Sequence, residues 1–371
     1  MTLFRFPRTI YFQRDIIDSL GDLLAKEDIR RVLVVTDRNI ASSVGARLDR
    51  ALGSIEADFF DGVLPEPSIS RIKEAARGVG GKRYDAFIAL GGGSVIDFTK
   101  ALAVLSSNPS ADLSTISPFE DIDLKMMIVA IPTTSGTGSD CSFAVVLTDE
   151  EGKLAMGNYD LVPEIVILDS SLTPTSKNIV VPTGIDAFVH SFEAIASNTS
   201  NIFTDALAER AIETIFHNLK AASNNEESAK DLMHLAASMA GMAFSNSGTA
   251  LAHAMGHSFG ATFHVTHGTS VGLFLLPAIT LNSQDVVTRE KYLRISKIMG
   301  AGDIDSLVSK IIEFFRSVGQ PVRVGELGIE RDAYLSKMEQ LVSLASRDSE
   351  LAFNSILVGE EDLRRLFVEN Y

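Results

Sequence analysis

Four short apolar runs constrain this chain first: Val32 to Thr36 (VLVVT), Ala86 to Leu90 (AFIAL), Met127 to Ile131 (MIVAI) and Ile165 to Leu168 (IVIL). All precede residue 170, and each reads as a strand buried on both faces. Residues 69–80, between the first two, carry a helical pattern. A β–α–β order implies a mostly parallel sheet covered by helices on both sides. Right-handed crossovers would set the C-terminal ends of its strands along one ligand-binding crevice. After Pro182 the strand signals nearly vanish. Helical stretches follow at 183–197, 203–221, 226–244, 248–260, 269–282, 286–299 and 303–318, with more beyond 331. The expected fold is an α/β N-terminal domain with a parallel sheet, residues 1–181, then an all-α C-terminal domain, residues 182–371. No long linker separates them, so the sequence places the site where the halves meet.

The length of 371 residues allows each half its own core. A formal charge of −15 speaks against nucleic acid or an anionic membrane as partner. The single cysteine, Cys141, excludes an internal disulfide framework and fits a reducing cytosol. The first residues, MTLFRFPRTIYF, lack the basic-then-apolar order of a signal peptide. No uninterrupted apolar stretch reaches bilayer-spanning length, so a cytoplasmic protein is expected.

GGGSVIDFTKAL follows the strand ending at Leu90. Gly91, Gly92 and Gly93 allow a tight turn and close approach of the backbone to a ligand. Ser94 reads as the N-cap of the helix that opens there. A helix N-terminus behind a strand binds phosphate through its free N–H groups; the plainer reading is a tight strand-to-helix turn. The motif is neither the GxGxxG fingerprint nor a Walker loop. A second loop, IPTTSGTGSD, offers Thr133, Thr134, Thr137 and Ser139 as hydroxyls to line a nucleotide. Asp37, just after the first strand, is placed to bind a ribose hydroxyl and to repel a 2′-phosphate, which favours NAD(H) over NADP(H). Arg38 beside it has the opposite preference.

Asp186 and His190 in TGIDAFVHSFEA are four apart, so they share one face of one helix. His253 and His257 repeat that spacing in ALAHAMGHSFGATFHVTHG, and His267 follows after a turn-like gap. Each pair alone is commonplace, since an i, i+4 Asp–His is usually a helix-face ion pair. Together, one carboxylate and three imidazoles suit Fe2+, Zn2+ or a neighbouring first-row ion. No thiolate narrows the choice.

In this order and spacing, GGGSVIDFTK, PTTSGTGSD, TGIDAFVHSFEA and ALAHAMGHSFGATFHVTHG resemble the iron-containing (group III) alcohol dehydrogenases, and among them the lactaldehyde reductase and propanediol dehydrogenase type. The resemblance spans nearly the whole chain. It implies a Rossmann-like dinucleotide domain followed by a helical domain holding the metal, the architecture shared with dehydroquinate synthase. Carried over by motif, the metal ligands are Asp186, His190, His253 and His267. Gly93 and Ser94 match the pyrophosphate loop, with Gly92 before them, and Thr133 and Thr134 match the adenosine-side loop. Ser142 and Lys153 fall near family cofactor contacts. The family also implies Fe2+, NAD(H), and a homodimer or higher homo-oligomer. Three positions depart from its pattern. Phe12 to Asp15 replace an FGxG, Asp140 stands where glutamate is usual, and Asn354, Ser355 and Ile356 replace an NPR-like motif.

The expected reaction is reversible hydride transfer between a primary alcohol and NAD+, with the metal polarising the oxygen. His257 is the catalytic candidate, either as proton relay or as support for a ligand. His264 is read as lining the site or capping a turn, and His217 and His234 as surface or packing residues. Phe143, Phe244, Leu251, Phe263 and Phe274 are candidates for an apolar pocket, although such spacings are more often core. Two competing readings are a dehydroquinate synthase-like lyase and a non-catalytic nucleotide-binding protein. The lyase lacks support because no dense Lys/Arg set for a phosphorylated polyol is evident. The binding protein would have no evident need for four metal ligands.

Overall fold

The computed structural model describes residues 3–118, 120–149 and 153–371. The chain forms two compact units, Met1–Pro174 and Thr175–Tyr371.

Among its described residues the first unit holds eight strands: β1 (Thr9–Phe12), β2 (Arg31–Val35), β3 (Glu56–Phe60), β4 (Ala86–Gly91), β5 (Met127–Pro132), β6 (Ala144–Thr148), β7 (Lys153–Gly157) and β8 (Ile165–Leu168). Six of them make one parallel sheet in the order β1-β8-β5-β4-β2-β3. The other two, β6 and β7, form a separate antiparallel hairpin. The helices of this unit are α1 (Leu20–Lys26), α2 (Arg38–Leu52), α3 (Ile69–Val79) and α4 (Gly93–Ser107).

Alternation along each strand sends successive side chains to opposite faces. Leu33, Val35, Phe87 and Ala89 pack with Ile72 of α3 and Ala101 of α4. Val32, Val34, Ile88 and Leu90 pack with Leu24 of α1 and Leu48 of α2. Both faces are covered, which is why β2, β4, β5 and β8 read as continuous apolar runs. The edge strands β1 and β3 and the hairpin carried no such signal. Each edge strand is only partly covered, and Phe12 and Phe59 are exposed.

The order of the sheet fixes where a ligand can sit. From β2 the chain passes outward to β3, then α3 carries it back to β4 on the other side of β2. The C-terminal ends of β2 and β4 therefore flank a reversal of strand order, the usual binding crevice of such sheets. Thr36 Oγ1 ties the two ends together by donating to the carbonyl of Leu90 at 2.7 Å.

The second unit is helical, with no strand among its described residues: α5 (Lys177–Ala196), α6 (Ile202–Ser223), α7 (Glu227–Ser245), α8 (Leu251–Phe263), α9 (His267–Asn282), α10 (Val286–Ile298), α11 (Ile304–Val318), α12 (Arg331–Ser336), α13 (Met338–Ser346) and α14 (Glu360–Glu369). Helix α5 runs through its core, with Ile185, Phe188 and Phe192 wholly buried. It is long and apolar enough to cross a bilayer, but 78% of that stretch is buried inside the protein. It also begins at Lys177, ahead of the break that Pro182 marks in the sequence. A proline lacks the N–H that continues a helix, so it reads as a boundary; here it sits within the helix. Its carbonyl oxygen lies where a Cβ on Gly268 would come within 1.9 Å, so only glycine fits at the start of α9.

Candidate metal centre and nucleotide loops

Three helices bring the four expected ligands together. Asp186 and His190 face one way from α5, His253 lies in the first turn of α8, and His267 is the first residue of α9. Asp186 Oδ1 lies 3.1 Å from His267 Nε2, 3.7 Å from His253 Nε2 and 3.8 Å from His190 Nε2. One donor atom from each residue lies within 4.8 Å of all the others. Four ligands at zinc-like bond lengths of about 2.0–2.1 Å stand roughly 3.3 Å apart in a tetrahedron, so the spacing suits one ion.

The polar atoms make the same point. Asp186 and His253 are 2% and 3% exposed, yet among the described residues Asp186 Oδ1 and His253 Nε2 have no hydrogen-bond partner. Buried polar atoms are seldom left so; a cation between them would satisfy both. Burial opposes the Asp186 anion, but the imidazoles of His190 and His267 hold its carboxyl well below the usual range. Burial pulls His190 down to about 3, leaving a neutral ring, the form that ligates. That ring is stacked between Phe244 and His253, with centroids at 4.3 and 4.5 Å. Burial also opposes charge on His253, but the Glu193 carboxylate, with Asp186, outweighs it and lifts the ring to about 10.

In the α/β unit, Gly92 and Gly93 meet Thr133 and Thr134 beyond the C-terminal ends of β4 and β5, beside the reversal of strand order. The N–H of Thr133 donates to the carbonyl of Gly91 at 3.0 Å, joining the loops that follow β5 and β4. A Cβ on Gly93 would lie 2.9 Å from the Thr137 side chain, so glycine is needed for the close approach. Ser94 is not the N-cap. Gly92 takes that place and Gly93 is the first helical residue, so α4 starts two residues earlier than the serine implied. A glycine N-cap leaves the first N–H groups without a side-chain acceptor, as an anion-binding helix start requires.

Asp37 is the N-cap of α2, and its Oδ1 accepts from the N–H groups of Asn39 and Ile40 at 2.8 and 3.1 Å. Ser142 is buried, and its carbonyl accepts from Lys100 Nζ at 2.7 Å; the same ammonium reaches the carbonyl of Ala144 at 3.0 Å. Burial draws the Lys100 ammonium down to about 8, against the pull of Asp97 and Asp140, and raises the Asp97 carboxyl to about 6. Lys153 opens β7, and its side chain lies outside the described residues.

The first part of the chain, residues 7–170, matches the model of the iron-containing alcohol dehydrogenases. Residues 180–371 match the model of the C-terminal domain of the same family. This chain belongs to the iron-containing alcohol dehydrogenase family. It is 30% identical to an NADPH-dependent butanol dehydrogenase of Clostridium saccharobutylicum, over 99% of this chain and 97% of that protein. Among solved structures, it superposes on an iron-containing alcohol dehydrogenase from Thermococcus thioreducens with a TM-score of 0.91 and 28% identity, covering 100% of this chain and 99% of the other. A 1,3-propanediol oxidoreductase gives 0.89 and 25%, covering 100% of both chains.

Two residues of this alcohol dehydrogenase had gone unread. Glu193 lies on the same stripe of α5 as the ligands, and its Oε2 meets His253 Nδ1 at 2.5 Å. The signal was its spacing of i+7 from Asp186. Asp348 Oδ2 meets His257 Nδ1 at 2.8 Å, and nothing local to His257 points to it. His257 also stacks on His267, with ring centroids 5.2 Å apart. His264 is the C-cap of α8 in a left-handed conformation, φ 55°. His217 is exposed on α6 and His234 is buried on α7. Of the residues considered for an apolar pocket, Leu251 and Phe274 are wholly buried core, and Phe263 packs on Phe259 and Tyr334. Phe244 stacks on His190, while Phe143 packs on Tyr159 in the other unit.

Proposed function

We propose that this alcohol dehydrogenase interconverts a short primary alcohol and its aldehyde with NAD(H), at a divalent ion held by Asp186, His190, His253 and His267. The preferred ion is Fe2+, with Zn2+ as the alternative. The observation that carries this reading is the convergence of Asp186 Oδ1 with three imidazole nitrogens, two of these buried atoms having no hydrogen-bond partner among the described residues. When bound, the ion polarises the alcohol oxygen and the nicotinamide accepts the carbon-bound hydrogen with its electron pair.

The chain's own residues do the rest. The start of α4 at Gly92, Gly93 and Ser94 presents free N–H groups to a pyrophosphate. Thr133, Thr134 and Ser142 supply hydroxyls and backbone along the nucleotide, and Lys153 is assigned to the same cofactor. Asp37 uses Oδ1 to cap α2, which leaves Oδ2 for a ribose hydroxyl. His257 holds its Nδ1 proton against Asp348, so Nε2 is the atom that takes a proton from the substrate side. Its side chain is 36% exposed, so that proton can pass on to water.

The relative of Clostridium saccharobutylicum is named for NADPH; in this chain Asp37 after β2 favours NAD(H). We place the enzyme in the cytoplasm as a homodimer or larger homo-oligomer, on the family pattern and the single cysteine. The test is a panel of short alcohols and aldehydes with NAD(H) and NADP(H), on protein stripped of metal and reloaded with Fe2+ or Zn2+. Net NADH from a simple alcohol, only in the loaded protein, is the expected result. Equal turnover by the stripped protein would refute the metal-dependent reading.

A further inference from the structure

Glu193 is a buried acid, 2% exposed, that the reaction above does not use. Among the described residues no lysine or arginine forms an ion pair with it; its only ionic partner is His253. Its two oxygens are engaged on one neighbouring helix. Oε1 accepts from the N–H groups of Ala252 and His253 at 2.5 and 3.3 Å, and Oε2 meets His253 Nδ1 at 2.5 Å. Helix α8 needs that acceptor, because its own N-cap, Ala250, provides no side-chain hydrogen bond. A buried acid without a partner is costly; here a helix N-terminus and an imidazole N–H compensate it.

The consequence falls on one ligand. With Nδ1–H directed to Glu193, the nitrogen left for a metal is Nε2, and Nε2 is the atom that faces Asp186 at 3.7 Å. Among the described residues His190 has no comparable support, since its buried Nδ1 has no hydrogen-bond partner there. The two buried imidazoles are therefore not equivalent. We infer that Glu193 is the positioning residue of the metal centre. It fixes the His253 ring with Nε2 toward Asp186, strengthens that nitrogen as a donor, and couples the ligand to the N-terminus of α8. A carboxylate behind a ligating histidine acts in this way at other metal sites. The inference rests on the proposed metal site.

The test measures Zn2+ affinity of the full chain by competition with a chromophoric chelator. 15N-histidine NMR of the zinc-loaded protein is recorded in parallel. Glu193→Gln keeps the volume and one acceptor oxygen but removes the charge. It is expected to weaken zinc binding about 10–100-fold and to speed exchange of the His253 Nδ1 proton. Glu193→Asp keeps the charge at shorter reach and should fall between wild type and Glu193→Gln. Zinc affinity and a Nδ1–H signal in Glu193→Gln equal to wild type would overturn the role of Glu193 and leave the metal site standing. Should Glu193→Gln not fold, Glu193→Asp decides: weaker zinc supports the role, and unchanged zinc overturns it. Wild-type protein that takes up no zinc or iron would overturn the metal site itself, and this role with it.

Discussion

His257 Nδ1 lies 2.8 Å from Asp348 Oδ2, a contact between residues ninety-one positions apart. Burial works against the Asp348 anion, but the hydrogen bond from His257 holds its carboxyl below the usual range. Asp348 also caps its own turn, its Oδ1 accepting from the Glu350 N–H at 3.0 Å, so the acid is fixed before it meets the imidazole. Such a pair orients a ring, whereas His267 meets Asp186 directly at 3.1 Å.

The two histidines should therefore fail differently. His267→Ala is expected to purify with little metal, because the site loses one of its four donor atoms and its geometry. His257→Ala should keep its metal and lose turnover by roughly 10²–10⁴-fold, the usual worth of a positioned acid–base group. Asp348→Asn should resemble a weaker His257→Ala. Metal analysis of the purified variants, then a pH–rate profile, checks the split. Equal metal loss in His257→Ala and His267→Ala would make His257 a ligand or its essential support.

How much of this was legible in the sequence follows from the range of each interaction. The buried strands β2, β4, β5 and β8 announced themselves because both of their faces need apolar side chains. The edge strand β3 did not, because its Glu56 and Asp58 pair with Arg31 of β2, and β1 did not because it is short and only partly covered. Asp186 with His190, and His253 with His257, were visible as helix-face pairs. Glu193 could have been found by the same periodicity. Asp348 could not, since only the packing of α8 against the turn at Ser349–Phe353 brings it near His257. Ser94 misled because serine is a favoured N-cap, and glycine took the position instead.

Gly268 offers a test of how the ligands are held. A Cβ there would lie 1.9 Å from the Pro182 carbonyl oxygen, a backbone atom that cannot swing aside. Gly268→Ala should therefore move the start of α9, with His267 at its first position, away from α5. Overpacking of this kind costs about 1–3 kcal/mol, read as a lower melting temperature, and zinc affinity should fall with it. A variant with wild-type stability and affinity would show that the start of α9 moves freely.

The buried pair on α4 should leave a pH signature. The Asp97 carboxyl is raised to about 6 by burial, so between its unfolded value near 3.9 and 6 the folded protein binds more protons than the unfolded one. Stability from this group is present below pH 4 and is lost as pH rises through 6. Across that pH window the loss is about 3 kcal/mol. Asp97→Asn removes the titration while keeping an acceptor for the Val146 N–H, now at 3.0 Å. Measured by urea unfolding, the variant should gain stability relative to wild type as pH rises from 4 to 6. Lys100, drawn down to about 8, has the opposite consequence: its penalty is present below pH 8 and is relieved toward 10.5. A Lys100→Met variant should lose that alkaline recovery.

The cofactor preference turns on Asp37, and its position makes a clean variant available. Asp37 caps α2, so alanine there would confound cofactor binding with the loss of a cap. Glycine at an N-cap costs only a few tenths of a kcal/mol, so Asp37→Gly isolates the charge. The wild type should favour NAD(H), because a carboxylate at the end of β2 repels the 2′-phosphate of NADP(H). In Asp37→Gly that repulsion is gone and Arg38 remains next to it, so the ratio of kcat/KM for the two cofactors should move toward NADP(H). The change should lie mainly in KM, since Asp37 is assigned to the ribose and not to the reacting carbon. A wild type with the higher kcat/KM for NADP(H) would mean that Arg38 or Asn39 dominates the crevice and that Asp37 serves only as the cap of α2.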